Sequence, residues 1–372
     1  MVEQTEKTEI KQTRIAWFRW IWRAVVLVIL ILIVSVVLPL VQNAQAIQKL
    51  KLLDDVDFNS EPGYLLGSMP FSWQSWLYST LSENQLIPFE TVTAFDCSTK
   101  TDLNDTELAL LCQFKHLKCL EVNSSEITNA GLSHLKALVK LETLYLSATQ
   151  ANDTGLIHLK KLVKLDGLHL NDTQVTDAGL IHLKGLSNLS RLDLSGTQVS
   201  DAGLGHLKSL KKLDWLDLTN TPLRDRGLIQ LKGLSNLDYL DLSGTQISDA
   251  GLVHLKTLKK LYCFCLNNTQ IRGAGLIHLK ELTNLRVLDL GDTQISDAGL
   301  IHLQKIPKLQ WISFIGSQIT DAGMIHLHGV TNLRVLMLDG TQVTAAGVAQ
   351  LQAILPNCEI IYSEDVPTPE TE

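Results

Sequence analysis

The chain has 372 residues, 45% of them hydrophobic and 6% aromatic, and a formal net charge of −7. That charge argues against a nucleic-acid partner, which needs a basic stripe, while the apolar fraction supports a large core built mainly on leucine. Six cysteines at irregular places, with no CxxC pair, signal neither a disulfide framework nor a zinc knuckle.

The first predicted element is a membrane span. Eighteen residues from Ala24 to Val41 carry no charge. With the preceding stretch from Ile15 they are long enough to cross ~30 Å of hydrocarbon. Trp17, Trp20 and Trp22 stand where an interfacial aromatic belt would sit, interleaved with Arg14, Arg19 and Arg23. Basic residues precede the span and only Lys49 and Lys51 follow closely, so the N-terminus is expected in the cytoplasm and the rest exported. Residues 1–15 are then a cytoplasmic tail and 16–41 a single-pass signal-anchor helix. A second reading stays open: Ala44-Gln45-Ala46 has the form of a signal-peptidase site, and cleavage after Ala46 would give a secreted protein. Residues 42–90 read as a juxtamembrane and N-terminal capping segment, with Phe71, Trp73, Trp76, Tyr78 and Phe89 available to cover the end of a leucine core, the alternative being a partner-binding domain.

Residues 91–362 are periodic. Ten glycines, from Gly131 to Gly347, stand 24 residues apart without an insertion. A representative unit reads Leu237-x-x-Leu240-x-Leu242-x-x-Thr245-x-Ile247-Ser248-Asp249-Ala250-Gly251-Leu252. Leu240 and Leu242 point one way and Asp241 the other, which predicts a strand, and stacked units then form a parallel sheet over one continuous core. Leu252, Leu255 and Leu258 follow at helical spacing and predict an apolar stripe packed on that sheet. Asp201 and Asp249 are expected to cap the helices that follow them. The threonine ladder that includes Thr197 and Thr245 is expected to satisfy turn groups of a neighbouring repeat. Glycine in a first helical turn costs up to ~1 kcal/mol relative to alanine, so the invariant glycine predicts a close approach by the next unit. Glu107 stands where the first unit would carry glycine, which marks that unit as a cap. Residues 363–372 read as a disordered acidic tail.

The LxxLxL core resembles the leucine-rich-repeat family. The Thr/Ser-Asp-Ala-Gly-Leu-x-His-Leu half is similar to its 24-residue bacterial form, which is itself similar to the cysteine-containing repeats of F-box proteins. The resemblance covers about three quarters of the chain. It implies an α/β solenoid with a curved parallel sheet on the concave face and short helices on the convex face.

No catalytic motif appears: there is no GxSxG, phosphate-binding loop or HExxH. No catalytic residue, cofactor or metal is expected. The histidine column from His134 to His326 projects from successive helices about 8–10 Å apart, too far for one metal. Cys263 and Cys265 should share the concave side, as two ordinary thiols or as a redox or metal pair.

The concave columns carry more chemistry. One presents Asp193, Asp217, Asp241, Cys265 and Asp289; the other presents Arg191, Trp215, Tyr239, Cys263, Val287 and Trp311. Stacked carboxylates edged by aromatic rings form a receptor for a cationic protein or glycan ligand. The candidate partner-binding residues are Asp193, Trp215, Asp217, Tyr239, Asp241, Asp289 and Trp311. The competing account is that Leu-Asp-Leu-Ser is simply how these repeats are written, with the aspartates bonded locally. A second candidate, for an acidic group, is the edge bearing Arg224, Arg226 and Arg272. The expected function is therefore non-enzymatic recognition by a membrane-tethered scaffold. The alternative is a structural, envelope-organising repeat protein without a dedicated concave site.

Overall fold

The computed structural model describes residues 57–62, 90–96 and 103–363. The expected tail 1–15, the anchor 16–41, most of the 42–90 segment and the acidic tail from 364 onward lie outside the described residues. Among the described residues no helix is long and apolar enough to cross a membrane. The chain divides into two compact units, residues 1–93 and 94–372. The first contains strand β1, Asp57–Pro62, and the repeats form the second.

Strand β2 (Glu90–Asp96) leads into the second unit, and eleven three-residue strands follow. Those central to the argument are β4 (Thr143–Tyr145), β5 (Gly167–His169), β6 (Arg191–Asp193), β7 (Trp215–Asp217), β8 (Tyr239–Asp241), β9 (Cys263–Cys265), β10 (Val287–Asp289) and β11 (Trp311–Ser313). Each pairs in parallel with the next, 24 residues on: Trp215 lies opposite Tyr239 and Asp217 opposite Asp241. The middle residue of each strand faces the core. Leu192, Leu216, Leu240, Phe264 and Leu288 are all fully buried, and their strand neighbours are at most half-buried. This is the expected alternation, and only a stack of units can bury such a face.

The helical half is tighter than an α-helix. The apolar residues recur strictly every third position, and most units answer with 3₁₀ turns, as at Gly203–Ser209 and Gly227–Gly233. Three residues per turn place Leu228, Leu231 and Leu234 on one line, all buried. The first and last units form longer α-helices, Asp105–Leu111 and Ala345–Ile354.

Two expected roles are corrected. The buried threonines donate within their own unit rather than to a neighbour: Thr245 Oγ1 donates to the Leu242 carbonyl at 2.5 Å, and Thr173 to that of Leu170 at 2.6 Å. The aspartates do not cap the helices that follow them. Asp225 accepts from the backbone N–H of Ser248 at 2.8 Å and from its hydroxyl at 2.7 Å, 23 residues away. The cap is the residue before the aspartate, since Ser248 Oγ accepts from Ala250 N at 3.3 Å. Asp201 likewise reaches Arg224 N at 2.8 Å, and Asp249 reaches Gly273 N at 3.1 Å. A carboxylate has more donors to gain across the seam than within its own turn, because the next unit presents an unbonded N–H and hydroxyl together.

This clasp accounts for the glycine. A Cβ on Gly251 would lie 2.5 Å from Asp225 Oδ1 and 3.0 Å from Leu228 Cδ1. The expected close approach is therefore correct, and the approaching group is the clasping aspartate. The ends fit the same rule. The first unit supplies Asp105 to Thr128 at 2.8 Å, while its Glu107 closes a capping box with Asn104. The last unit has Ala345 at the clasp position, with no unit after it to hold.

A second ladder runs along the turns with a two-repeat period that single-repeat reading overlooks. Asn188, Asn236 and Asn284 each donate to a carbonyl of the preceding unit, as Asn236 does to Lys211 at 2.6 Å. Lys212, Lys260 and Lys308 then donate to those asparagine side chains at 2.7 Å.

Candidate functional site

The open face of the sheet is organised by two columns one residue apart on either side of the buried leucine. Tyr145, His169, Asp193, Asp217 and Asp241 share one column, while Arg191, Trp215 and Tyr239 share the other. Tyr145 and His169 stack with centroids 4.3 Å apart and planes at 11°. His169 tilts against Trp215 at 6.0 Å and 47°, and Trp215 stacks on Tyr239 at 5.1 Å and 12°. Four rings thus form a continuous diagonal arc from β4 to β8, passing Asp193. Offset stacks of this kind contribute about 0.5–1.5 kcal/mol per pair beyond their buried area.

The aspartates are bonded locally as well as stacked. Asp193 accepts from Ser195 N at 2.9 Å and its hydroxyl at 2.7 Å, and His169 Nδ1 lies 3.7 Å from its other oxygen. Asp217 accepts from Thr219 N at 2.8 Å, and Asp241 from Ser243 N at 2.8 Å and from the Tyr239 hydroxyl at 3.1 Å. Their electrostatics differ. Burial works to raise the Asp193 pKa, but the bonds from His169 and Ser195 outweigh it and hold the carboxyl below its ordinary value. Burial raises Asp217, the bonds from Thr219 only partly oppose it, and the charges of Asp241 and Asp193 push it further up. Burial and the adjacent Asp241 charge push the Tyr239 phenol up too.

These opposite shifts give opposite expected outcomes. A raised folded-state pKa means stability that is present below the unfolded value and lost as pH rises through the folded one, so ionised Asp217 weakens the fold at neutral pH. Asp217→Asn keeps an acceptor for Thr219 and should raise the unfolding midpoint there by less than about 1 kcal/mol, an advantage that salt screens and acid removes. Asp193 contributes stability above its unfolded pKa that is lost as pH falls, so Asp193→Asn should cost about 1–2 kcal/mol at neutral pH. Thermal melts of both variants across pH and salt check the pair. Equal signs would contradict the assignment.

The structure brings together Asp193, Trp215, Asp217, Tyr239 and Asp241. It does not bring in the other two candidates. Trp311 lies three strands from Tyr239, about 14 Å at the usual strand spacing, and makes no ring contact among the described residues. Asp289 accepts from Asn267 Nδ2 at 2.9 Å and Gly291 N at 3.2 Å, beyond the cysteine strand β9. Sequence reading missed Tyr145 and His169. Their signal was the spacing itself, since both fall in the Asp193 column when it is extended toward the N-terminus.

Cys263 and Cys265 are free and half-buried on the same face of β9. Their mutual interaction lowers the Cys263 pKa, and with burial it raises that of Cys265. No group of three metal-ligating side chains is placed to hold an ion among the described residues. The histidine column is half-buried, apart from the exposed His134. On the helix-start edge, Arg224 is exposed and donates through Nε to Gln246 at 3.0 Å.

A leucine-rich-repeat family model matches residues 115–136, 185–208, 233–259 and 281–303. These segments are leucine-rich repeats. The repeat fold is shared with the mouse RP105/MD-1 complex, at 18% identity and a TM-score of 0.56, over 69% of this chain and 44% of that one. Similarity also extends to an internalin from Listeria monocytogenes, at 22% identity and TM-score 0.43 over 70% of this chain and 88% of the other. A leucine-rich-repeat protein of Leptospira interrogans matches at 18% and TM-score 0.40, over 68% and 80%. No curated protein sequence matches the chain. Leucine-rich-repeat folds are in general non-enzymatic scaffolds for protein recognition.

Proposed function

We propose that this chain is a non-enzymatic recognition scaffold, tethered to a membrane by residues 16–41 with its repeats exported, whose open sheet face binds a cationic protein segment. The observation that carries this reading is the aromatic arc of Tyr145, His169, Trp215 and Tyr239 beside Asp193, Asp217 and Asp241. Half-exposed rings in contact contribute little to the leucine core, yet they are well suited to receive lysine or arginine side chains by cation–π contact, with carboxylates alongside. The mouse protein that shares the fold was solved in complex with MD-1, which supports a protein partner.

Affinity capture from extracts with the full-length chain tests this, run in parallel with Trp215→Ala and Trp311→Ala. A partner seated on the arc should lose about tenfold or more in affinity with Trp215→Ala, as buried aromatic anchors do. Trp311→Ala, three strands away, should leave it unchanged. Equal effects of the two variants, or none, would remove the arc from the binding surface.

A further inference from the structure

The net charge conceals a strongly basic side. From each helix glycine to the leucine ten residues later, nine segments between Gly131 and Leu333, the sequence holds sixteen lysines and a single acid, Glu281. The strand-and-turn stretches between them, from 142–154 to 310–322, hold seventeen acids and five arginines. Charge is therefore segregated by the fold: acid on the sheet and clasp half, lysine on the helix half.

Exposed isoleucines lie among these lysines. In a 3₁₀ turn, residues three apart eclipse one another. The line next to the buried leucines therefore pairs Ile157 with Lys160, Ile181 with Lys184 and Ile229 with Lys232. Ile181 is 47% exposed and Ile229 49%, and the same position is exposed again at Ile301 and Ile325. The lysine one turn on is exposed in six consecutive units, from Lys160 to Lys280. None of those six ammonium groups donates a side-chain hydrogen bond or joins a salt bridge among the described residues, unlike the lysines of the asparagine ladder. These exposed isoleucines, in five of the nine units, add little to the core, and beside Ile157, Ile181 and Ile229 stands an ammonium on a long alkyl stem. That pairing is the chemistry of a surface lying in a bilayer interface, with apolar groups at the headgroup–acyl boundary and lysines meeting phosphates.

We infer that the helix side of the solenoid is a docking surface for an anionic lipid bilayer. Nucleic acid would meet the lysines and leave the isoleucines unused, so the apolar line favours lipid. The uncharged run 24–41 would hold the unit near a bilayer, but the surface is defined by the repeats alone.

The test places the full chain on phosphatidylcholine vesicles, with or without phosphatidylglycerol, and follows acetylation of Lys184, Lys208, Lys232 and Lys256 by mass spectrometry. Any anchor is common to both arms, so their difference reports on the helix side. Labelling of these lysines should fall several-fold on the anionic vesicles. Ile181→Ser with Ile229→Ser, both on exposed side chains, should restore most of it while the unfolding midpoint stays in place. Equal labelling on the two lipids would overturn the inference. So would protection on zwitterionic vesicles that grows with protein density, which assigns the face to self-association. Protection given by duplex DNA but not by anionic lipid would overturn it in favour of nucleic acid.

Discussion

Replacing Asp225 by alanine is expected to destabilise the repeat unit by about 1.5–3 kcal/mol, the range for hydrogen bonds to a charged group. The carboxylate holds Ser248 through both its backbone N–H, at 2.8 Å, and its hydroxyl, at 2.7 Å, and alanine leaves both donors without that partner. Gly251→Ala should cost about 1–3 kcal/mol for the complementary reason. Its new Cβ would fall 2.5 Å from Asp225 Oδ1, and the clasp would have to open to admit it. The two changes act on one contact, so the double variant should cost clearly less than the sum of the singles. Denaturant midpoints of the three variants measure this. An additive double variant would mean that aspartate and glycine serve separate purposes, and the clasp would then fail as the reason for the repeat's Asp-Ala-Gly signature.

The second large effect lies in strand β9. Phe264 is fully buried in a column that most other units fill with leucine, and Phe264→Ala should cost about 3–5 kcal/mol. Phe264→Leu, which restores the common residue, should cost below about 1.5 kcal/mol as neighbours close on the smaller ring-free side chain. The same unit has a reduced clasp. Arg272 and Gly273 replace the usual hydroxyl and aspartate, so Asp249 is left with backbone donors at 3.4 and 3.1 Å. No carboxylate at position 273 reaches forward, and Ser296 makes no side-chain cap. Because each unit contacts only its neighbours, opening should start at that seam. Hydrogen exchange should therefore show amides of 263–299 losing protection first in Phe264→Ala. Uniform loss along residues 103–363 would show that the seam is no weaker than the rest.

The repeat, its period, the parallel strands and the inward leucines were legible in the sequence, because burial on one face imposes a spacing that twenty-four residues repeat without error. The need for a close neighbour at each glycine was legible for the same reason: glycine is costly in a helix unless something occupies the space of its side chain. Carboxylate partners were not legible. An aspartate beside a helix start satisfies a capping rule locally, and nothing within one repeat says that a better pair of donors lies 23 residues on. Threonines fell to the same ambiguity in reverse, bonding at home where a neighbour was expected. The candidate site divides along this line. Reading each column separately finds Asp193, Asp217 and Asp241, and Trp215 with Tyr239. Contact between columns depends on strand spacing and ring direction, so only the tertiary structure could join Tyr145 and His169 to Trp215 and leave Trp311 and Asp289 apart. Periodicity fixes what each residue faces, whereas the packing of one unit on the next decides what it touches.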